Sequence, residues 1–209
     1  MKNCLSLNEI NEIKTNFEMR NIEFEYFESD EDLIDYIKKD IAVYQNIGIG
    51  NSQTLKRLKI TDTVLEMHKT VFDKTLGTNS DDIKSLKKKA LLSECYITSS
   101  NAISKDGIIV NVDHSGNRVA AMTYGPERVL IIVGINKIVQ NEKEAINRSL
   151  KVATPQNALR SKIPSPCSTG GTCLECNQTI RVCNHISIIR GQNEIGRMKV
   201  MLLNESLGF

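Results

Sequence analysis

Four cysteines near the carboxyl-terminal end of the sequence have the type and spacing of a metal centre. Two residues separate the middle pair, Cys173 and Cys176, and at this separation both sulfurs of a tight turn can bind one ion or cluster. Thiolates are soft ligands that bind zinc or iron–sulfur clusters and reject magnesium and calcium. The predicted metal ligands are Cys167, Cys173, Cys176 and Cys183.

The identity of this metal stays open between a 4Fe–4S cluster, which is slightly favoured, and zinc. The spacings of five, two and six residues match neither a standard zinc ribbon nor a bacterial ferredoxin run. Two disulfides, or free thiols in a loop, are the simpler interpretations. The first residues lack the continuous apolar core of a signal peptide, so we expect a cytoplasmic protein, in which disulfides are disfavoured.

A glycine-containing turn in the first third of the chain is the first candidate ligand site. A short apolar strand runs into two glycines and small polar residues, and leucines at helical spacing follow. Backbone amides at the start of such a helix can bind an anion, helped by hydroxyl side chains. A tight turn with an ordinary N-cap explains the same residues equally well. The candidate ligand-binding residues here are Gly48, Gly50, Asn51, Ser52 and Thr54.

Other candidate ligand contacts follow later strands. Asn101 closes a Ser-Ser-Asn run, and Asn136 and Lys137 follow an apolar strand. Asn117 and Arg118 lie in a polar loop, where a guanidinium can hold a carboxylate or phosphate with two hydrogen bonds, although a surface ion pair is an equal alternative. The neighbouring residues 113–115 are Asp, His and Ser, but sequence neighbours seldom adopt the geometry of a hydrolase triad.

Composition excludes some classes of protein. The 209 residues carry a formal net charge of +2 and 5% aromatic residues, which gives no electrostatic or stacking footprint for nucleic acid. No apolar run approaches the roughly 18 residues of a membrane span. The basic run 87–89 ends a segment of helical spacing and predicts a solvated helix face. We expect one α/β domain over residues 1–209, with a cysteine-rich metal-binding loop at 164–185.

Helical and strand patterns alternate along the chain. Apolar spacing predicts a helix over 5–19, with Ser6 as its cap and Glu9 three residues later. Residues 21–27 alternate as a strand does, and residues 128–133 form the near-continuous apolar run of a strand buried on both faces. The alternation predicts a three-layer α/β sandwich with a mostly parallel sheet. Ligands bind such sheets at the carboxyl ends of the strands, so the candidate loops should meet in one crevice.

Several segments together resemble the LUD family, the lactate utilisation domain family of the lactate utilisation protein C or YkgG-like type. The resemblance rests on the four cysteines and on residues 99–103, 106–113, 116–121, 133–139 and 204–209. One departure concerns the loop before Arg118, where the family pattern leads us to expect Asp-Gly-Thr-Gly-Asn-Arg and this chain has His114 in place of the first glycine.

The resemblance implies a fold similar to that of glucosamine-6-phosphate deaminase (NagB), ribose-5-phosphate isomerase (RpiA) and the CoA transferases. It also implies kinship to a cytosolic iron–sulfur complex that oxidises L-lactate to pyruvate, with partner subunits that carry further clusters. Our first hypothesis is therefore a component of an L-lactate-oxidising oxidoreductase complex. It would bind a small anionic substrate through Arg118 or Lys137 and through amides of the glycine turn.

Two alternatives belong to other functional classes. The first is a binding or assembly module whose cysteine loop is held shut by zinc. The second is an isomerase-like or transferase-like enzyme acting on a phosphorylated or CoA substrate. No carboxylate can be placed beside the crevice as a base or nucleophile, so no catalytic residue is assigned. No flavin or nicotinamide fingerprint is visible in the sequence.

Overall fold

The computed structural model describes residues 5–209 and has helices alternating with strands. The helices are α1 (Leu7–Glu18), α2 (Asp30–Asp40), α3 (Gln53–Arg57), α4 (Ile60–Glu66), α5 (Ser80–Leu91), α6 (Asn117–Thr123), α7 (Glu142–Arg148), α8 (Thr154–Ser161) and α9 (Pro166–Gly170). The strands are β1 (Glu23–Phe27), β2 (Asn46–Ile49), β3 (Thr70–Asp73), β4 (Cys95–Ser99), β5 (Ala102–Ser104), β6 (Ile109–Asp113), β7 (Arg128–Gly134), β8 (Ile138–Val139), β9 (His185–Ile189) and β10 (Met198–Leu203).

The main sheet has six strands in the order β1-β10-β7-β4-β2-β3, and every pairing in it is parallel. Strand β7 lies near its centre and is buried along its whole length, as its apolar sequence predicted. Helices cover both faces of this sheet. The prediction of a mostly parallel α/β sandwich is therefore confirmed.

Alternate residues of β7 pack into two different cores. Ile131 and Val133 join α1, through Ile13 and Phe17, in the core on one face. Leu130 and Ile132 join the opposite core, which is formed largely with α2, α3 and α4. Fully burying one such side chain stabilises the fold by about 1.5–3 kcal/mol, so the two cores fix the strand order and register. Cys95 is fully buried in the second core, as a small apolar residue would be.

A second sheet of four strands, in the order β8-β5-β6-β9, was not predicted. Strands β5 and β6 form an antiparallel pair in this sheet. Strand β9 extends this sheet beside β6, and the two-residue strand β8 pairs with β5. Strands of two or three residues carry too little alternation to be recognised in the sequence.

Helix caps agree with the sequence. Ser6 and Glu9 form a reciprocal capping box at the start of α1. Asn141 caps α7, and its side-chain oxygen accepts the backbone N–H of Glu144 at 3.1 Å. Across the described residues, none of the helices combines the length and apolar character required to cross a membrane.

The carboxyl ends of the parallel strands bring the candidate loops together. Strand β2 leads into α3 through residues 50–52, β4 ends in the Ser99–Ser100 turn, and β7 ends in a short 3-10 turn, Ile135–Lys137. The segment after β10 returns across the same edge, where the carbonyl of Leu207 accepts from the Thr54 hydroxyl at 3.3 Å. One sheet edge therefore positions the site.

Candidate functional site

A cavity of about 310 Å³ opens at this edge of the main sheet. Its wall combines the ends of β2, β3, β4 and β7 with parts of α5, α6 and α8. The polar side chains on the wall are Asn51, Ser52, Gln53, Thr54, Lys74, Lys87, Ser99, Ser100, Asn101, Asp113, His114, Ser115, Asn117, Arg118, Lys137, Asn157, Arg160 and Ser161. Concave, largely preformed cavities with convergent polar groups are the usual sites of small ligands.

Lys137 is the most deeply buried cation of this wall, with 3% of its surface exposed. Its Nζ donates hydrogen bonds of 2.9 Å each to the Oγ1 of Thr54 and the Oγ of Ser99. The predicted meeting of the three strand-end loops is confirmed by these two bonds. Burial, together with the cations Arg148 and Arg118, lowers the pKa of Lys137 to about 7. Within residues 5–209, Lys137 forms no ion pair with a carboxylate.

Arg118 is held by protein groups on all sides. Its Nη1 donates to the carbonyl of Ser99 at 2.9 Å and also to the Oδ1 of Asn111. Its Nη2 donates to the carbonyl of Val112 at 2.8 Å and to the Oδ1 of Asn101 at 3.1 Å.

The remaining Nε of Arg118 lies 3.4 Å from a carboxylate oxygen of Asp113. The guanidinium therefore ties β4 to β6, and its donors are already occupied. It lies on the cavity wall, but its predicted role as the partner of a ligand carboxylate stays a prediction.

Some residues of the glycine turn lie on the cavity wall, and others pack within the sheet. Asn51, Ser52 and Thr54 lie on the cavity wall, whereas the two glycines do not. A Cβ on Gly48 would approach the Oγ of Ser93 to 2.6 Å, and one on Gly50 would approach the Oγ1 of Thr98 to 2.5 Å. The glycines are therefore required by close packing.

Two amides of this turn are engaged in hydrogen bonds within the protein. The Gly50 N–H donates to the carbonyl of Ile97 at 2.9 Å, and the Thr54 N–H donates to the Oγ of Ser52 at 3.1 Å. Helix α3 has five residues. The Gly50 amide is therefore already used within the protein, and the assignment of Gly48 and Gly50 as ligand contacts stays a prediction.

The other three predicted asparagines, besides Asn51, are placed differently. Asn101 and Asn117 lie on the cavity wall, where the Oδ1 of Asn101 also accepts the N–H of Val112 at 2.8 Å. Asn136 lies behind the wall and holds the segment after β10. Its Oδ1 accepts the N–H of Leu207 at 2.9 Å, and its Nδ2 donates to the carbonyl of Gly208 at 3.4 Å.

Three cations on the wall were not assigned from the sequence. Lys74 follows β3 directly, Lys87 lies on α5, and Arg160 lies on α8. Burial lowers the pKa of Lys74 and that of Arg160. The prediction of a solvated helix face holds for Lys88, which is exposed, but not for Lys87, which is half-buried against the cavity. Lys74 had a signal, its position at a strand end, but Arg160 had none.

The cavity wall carries an excess of positive charge. Lys74, Lys87 and Arg160 form no ion pair in the described structure. Asp113 is the one acidic side chain on the wall among residues 5–209, and Arg118 is its partner. An uncompensated group of cations in a concave site attracts anions.

Two polar atoms on this wall are buried without a hydrogen-bond partner. They are the Oδ1 of Asn51 and the Nε of Arg160. Buried polar groups are almost always satisfied in proteins, so atoms of this kind are natural contacts for a ligand or water. One of them is an acceptor and the other is a donor, so a ligand with both kinds of group would satisfy them.

The cysteine loop contains α9 and borders the strand-end cavity, where the Nδ2 of Asn184 donates to the carbonyl of His114 at 3.0 Å. Cys167 is buried against Ala158 and Val182, and the other three predicted ligands are partly exposed. Burial raises the pKa of Cys183, and the thiols of Cys176 and Cys173 add to the rise. These three thiols therefore lie within electrostatic range of one another.

The chemistry of the four thiols favours a metal site, but their positions in the structure do not form one. Four thiols fit zinc or an iron–sulfur cluster by their chemistry. In the part of the chain that the structure describes, no three His, Cys, Asp or Glu side chains are grouped closely enough to hold a metal ion. The predicted metal ligands stay a prediction, and binding requires the loop to bring them closer together.

Comparison with known proteins identifies the family. The model of the LUD domain matches residues 10–203, which is most of the chain. The chain belongs to the LUD domain family. A crystal structure of a DUF162 family protein from Deinococcus radiodurans is similar to this LUD domain, with a TM-score of 0.52 and 12% sequence identity. The similarity covers 96% of this chain and 98% of that one, and at this identity it shows a common fold. A search of curated proteins gave no match.

The LUD match contains the four cysteines and most of the cavity wall. Residues 10–203 include Lys74, Lys87, Lys137 and Arg160, as well as the four cysteines. The loop at His114 departs from the expected family pattern, and the structure shows how it is used. The Oδ1 of Asp113 accepts the N–H groups of Ser115 and Gly116 at 3.2 and 3.1 Å, and His114 is exposed. Asp113 therefore closes a turn and does not orient a catalytic histidine.

Proposed function

We propose that this LUD domain binds a small anionic hydroxy or oxo acid in the strand-end cavity, as a component of a cytoplasmic system that oxidises L-lactate to pyruvate. The observation that carries the proposal is the set of three cations, Lys74, Lys87 and Arg160, without carboxylate partners around one cavity. The family name supports lactate as the substrate class. The proposal that the cavity binds an anion rests on the positions of these three cations.

The charges and hydroxyls of the wall suggest how such an acid is held. Its carboxylate pairs with Lys74, Lys87 or Arg160, because charge-assisted hydrogen bonds are the strongest polar contacts that these side chains can make. Its C2 oxygen lies toward Lys137, whose two hydroxyl partners, Thr54 and Ser99, can accept or return a proton. Arg118 supports the wall and is not a ligand contact in this arrangement.

The redox part of the proposal depends on the four cysteines. Cys167, Cys173, Cys176 and Cys183 would hold a 4Fe–4S cluster, or zinc in the alternative account. A cluster bound there would supply one-electron transfer to partner iron–sulfur subunits. The residues described for the cavity act without it, so ligand binding and metal loading are separate claims.

Calorimetric titration tests the binding claim. We expect L-lactate and pyruvate to bind the wild-type protein, and we expect Lys74→Met and Lys87→Met each to weaken the affinity roughly tenfold, because each removes a charge-assisted contact. Lys88→Met is the matched control, since Lys88 is exposed on the same helix as Lys87. The proposal fails if neither acid binds, or if Lys88→Met weakens binding as much as Lys87→Met.

Further ligands and metal analysis distinguish the other functional classes. Binding of sugar phosphates or CoA, without binding of lactate or pyruvate, would favour an isomerase-like or transferase-like enzyme. Protein expressed without oxygen should contain iron and sulfide and have visible absorption that dithionite bleaches. Stoichiometric zinc without colour would favour the zinc-held assembly module instead.

A further inference from the structure

Lys137 combines features that a purely charge-pairing lysine lacks. It is buried beneath the cavity, has two hydroxyl partners, and forms no ion pair with any carboxylate of the described chain. Burying a charged ammonium without a counter-ion is costly, and two arginines nearby, Arg148 and Arg118, increase that cost. A neutral amine is the form that this environment favours.

We propose that Lys137 is a nucleophilic amine that forms an imine with a carbonyl compound carrying an anionic group. This inference rests on the proposed function, because the anionic group is held by the same cations of the cavity wall. Desolvation and neighbouring cations are the two means by which proteins make a lysine nucleophilic, and both are present here. The shared ligand chemistry is that of 2-oxo acids and phosphorylated carbonyl compounds.

The step balances without an oxidant or reductant. The lone pair of the Lys137 Nζ attacks the carbonyl carbon and forms a C–N bond, and the carbonyl oxygen takes a proton. The carbinolamine then loses water, which carries away the former carbonyl oxygen and two protons, and a C=N bond remains. The hydroxyls of Thr54 and Ser99, each 2.9 Å from Nζ, are placed to carry these protons.

Lys137 and Gly208 both lie on the cavity wall, from which a carbonyl compound would approach the amine. Gly208 passes over the amine, and a Cβ at this position would lie 3.5 Å from Nζ and 2.9 Å from the Thr54 hydroxyl. A side chain on residue 208 would therefore crowd the path to the amine. The three cations that form no ion pair, Lys74, Lys87 and Arg160, lie on the wall of the same cavity and can hold the anionic group of the carbonyl compound.

Reductive trapping tests the proposal. The full-length protein is incubated with pyruvate, or with dihydroxyacetone phosphate in a parallel arm, and sodium cyanoborohydride is added. An imine with pyruvate is reduced to a stable secondary amine, and the protein gains the mass of pyruvic acid less one oxygen atom. We expect one adduct per chain, which peptide mass spectrometry places on Lys137. The arm that traps at lower concentration identifies a carboxylate or a phosphate as the preferred anion.

Two variants and one binding measurement control this result. Lys137→Arg cannot form an imine, so it should lose the adduct, whereas Lys88→Met should keep it. If Lys137→Arg does not fold, peptide mapping of the wild-type adduct decides alone. Adducts spread over exposed lysines would overturn the inference.

Calorimetry on the same samples separates the claim that the cavity binds an anion from the claim that Lys137 forms an imine. Saturable binding of pyruvate or dihydroxyacetone phosphate without an adduct on Lys137 would overturn the imine and leave anion binding intact. Neither binding nor an adduct would overturn both. An adduct on Lys137 that Lys74→Met reduces severalfold would support both.

Discussion

The strand-end cavity and the cysteine loop are the two candidate sites of this protein, and they are built in different ways. The cavity is framed by the ends of parallel strands, and Arg118 and Lys137 hold its loops through hydrogen bonds to groups far apart in sequence. The loop after α9 has no helix or strand between residues 171 and 184, and its thiols are not assembled. The ends of the strands thus hold the cavity residues in place, whereas the thiols of the loop are not held together in the described structure.

The largest effect should come from removing Arg118. Arg118→Met leaves the Asp113 carboxylate and several buried acceptors without a donor, so we expect a loss of about 3–5 kcal/mol in the free energy of unfolding. Arg181→Met in the cysteine loop is the control, because its hydrogen bond to Asn184 is 3.4 Å long and exposed, and we expect a change within about 1 kcal/mol. Urea unfolding measures both. Equal losses of unfolding free energy in Arg118→Met and Arg181→Met would contradict the proposed difference between the cavity and the cysteine loop.

The pH dependence of stability should report on Lys137. Its pKa is about 7 in the folded protein and 10.5 for the ordinary side chain, so between these values the unfolded chain binds more protons. The free energy of unfolding then rises with pH, by up to about 1.4 kcal/mol per unit in this window. Lys137→Met should lack this rise, and Lys88→Met should keep it. Identical pH slopes for wild type and Lys137→Met would show that Lys137 stays charged.

Glycine substitutions should show that the backbone beside the cavity is more tightly packed than the cysteine loop. Gly50→Ala places a Cβ 2.5 Å from the Thr98 hydroxyl, so we expect destabilisation by about 1–3 kcal/mol in thermal or urea unfolding. The nearest atom to a Cβ on Gly170, in α9, is 3.8 Å away. Gly170→Ala should therefore be neutral or stabilise by up to about 1 kcal/mol. A destabilisation by Gly170→Ala as large as that by Gly50→Ala would contradict the comparison.

The smallest effect on folding should come from the thiols in metal-free protein. Cys173→Ser changes a partly exposed side chain, and we expect a shift within about 0.5 kcal/mol in the free energy of unfolding. In protein loaded with iron or zinc, the same substitution should lower the bound metal. Chelation should leave the affinity of the cavity for pyruvate unchanged within about twofold, because the cavity is built without the metal. A large loss of affinity on chelation would show that the two regions are coupled.

The sequence predicted the fold from periodicity and caps. The buried strand β7 and the Ser6 cap were each visible as local patterns, and the strand-end rule brought Thr54, Ser99 and Lys137 together. Strand β8 has two residues, so the second sheet gave no periodic signal.

The chemistry of individual side chains was harder to predict. Arg118 has the residue type of an anion contact, but only three-dimensional structure shows that β4 and β6 engage its donors. Arg160 reaches the cavity from α8, which no strand end places there. The neutral form expected for Lys137 depends on burial and on two arginines that are near in space but distant in the sequence. Neither is a local property of the sequence.

A crystal of this LUD domain soaked with pyruvate tests most directly whether the strand-end cavity is the anion site. We predict difference density for pyruvate inside the cavity, with its carboxylate within hydrogen-bond distance of Lys74, Lys87 or Arg160 and its carbonyl carbon beside the Nζ of Lys137. Density confined to the cysteine loop, or an empty cavity at a concentration that saturates binding in solution, would contradict the assignment.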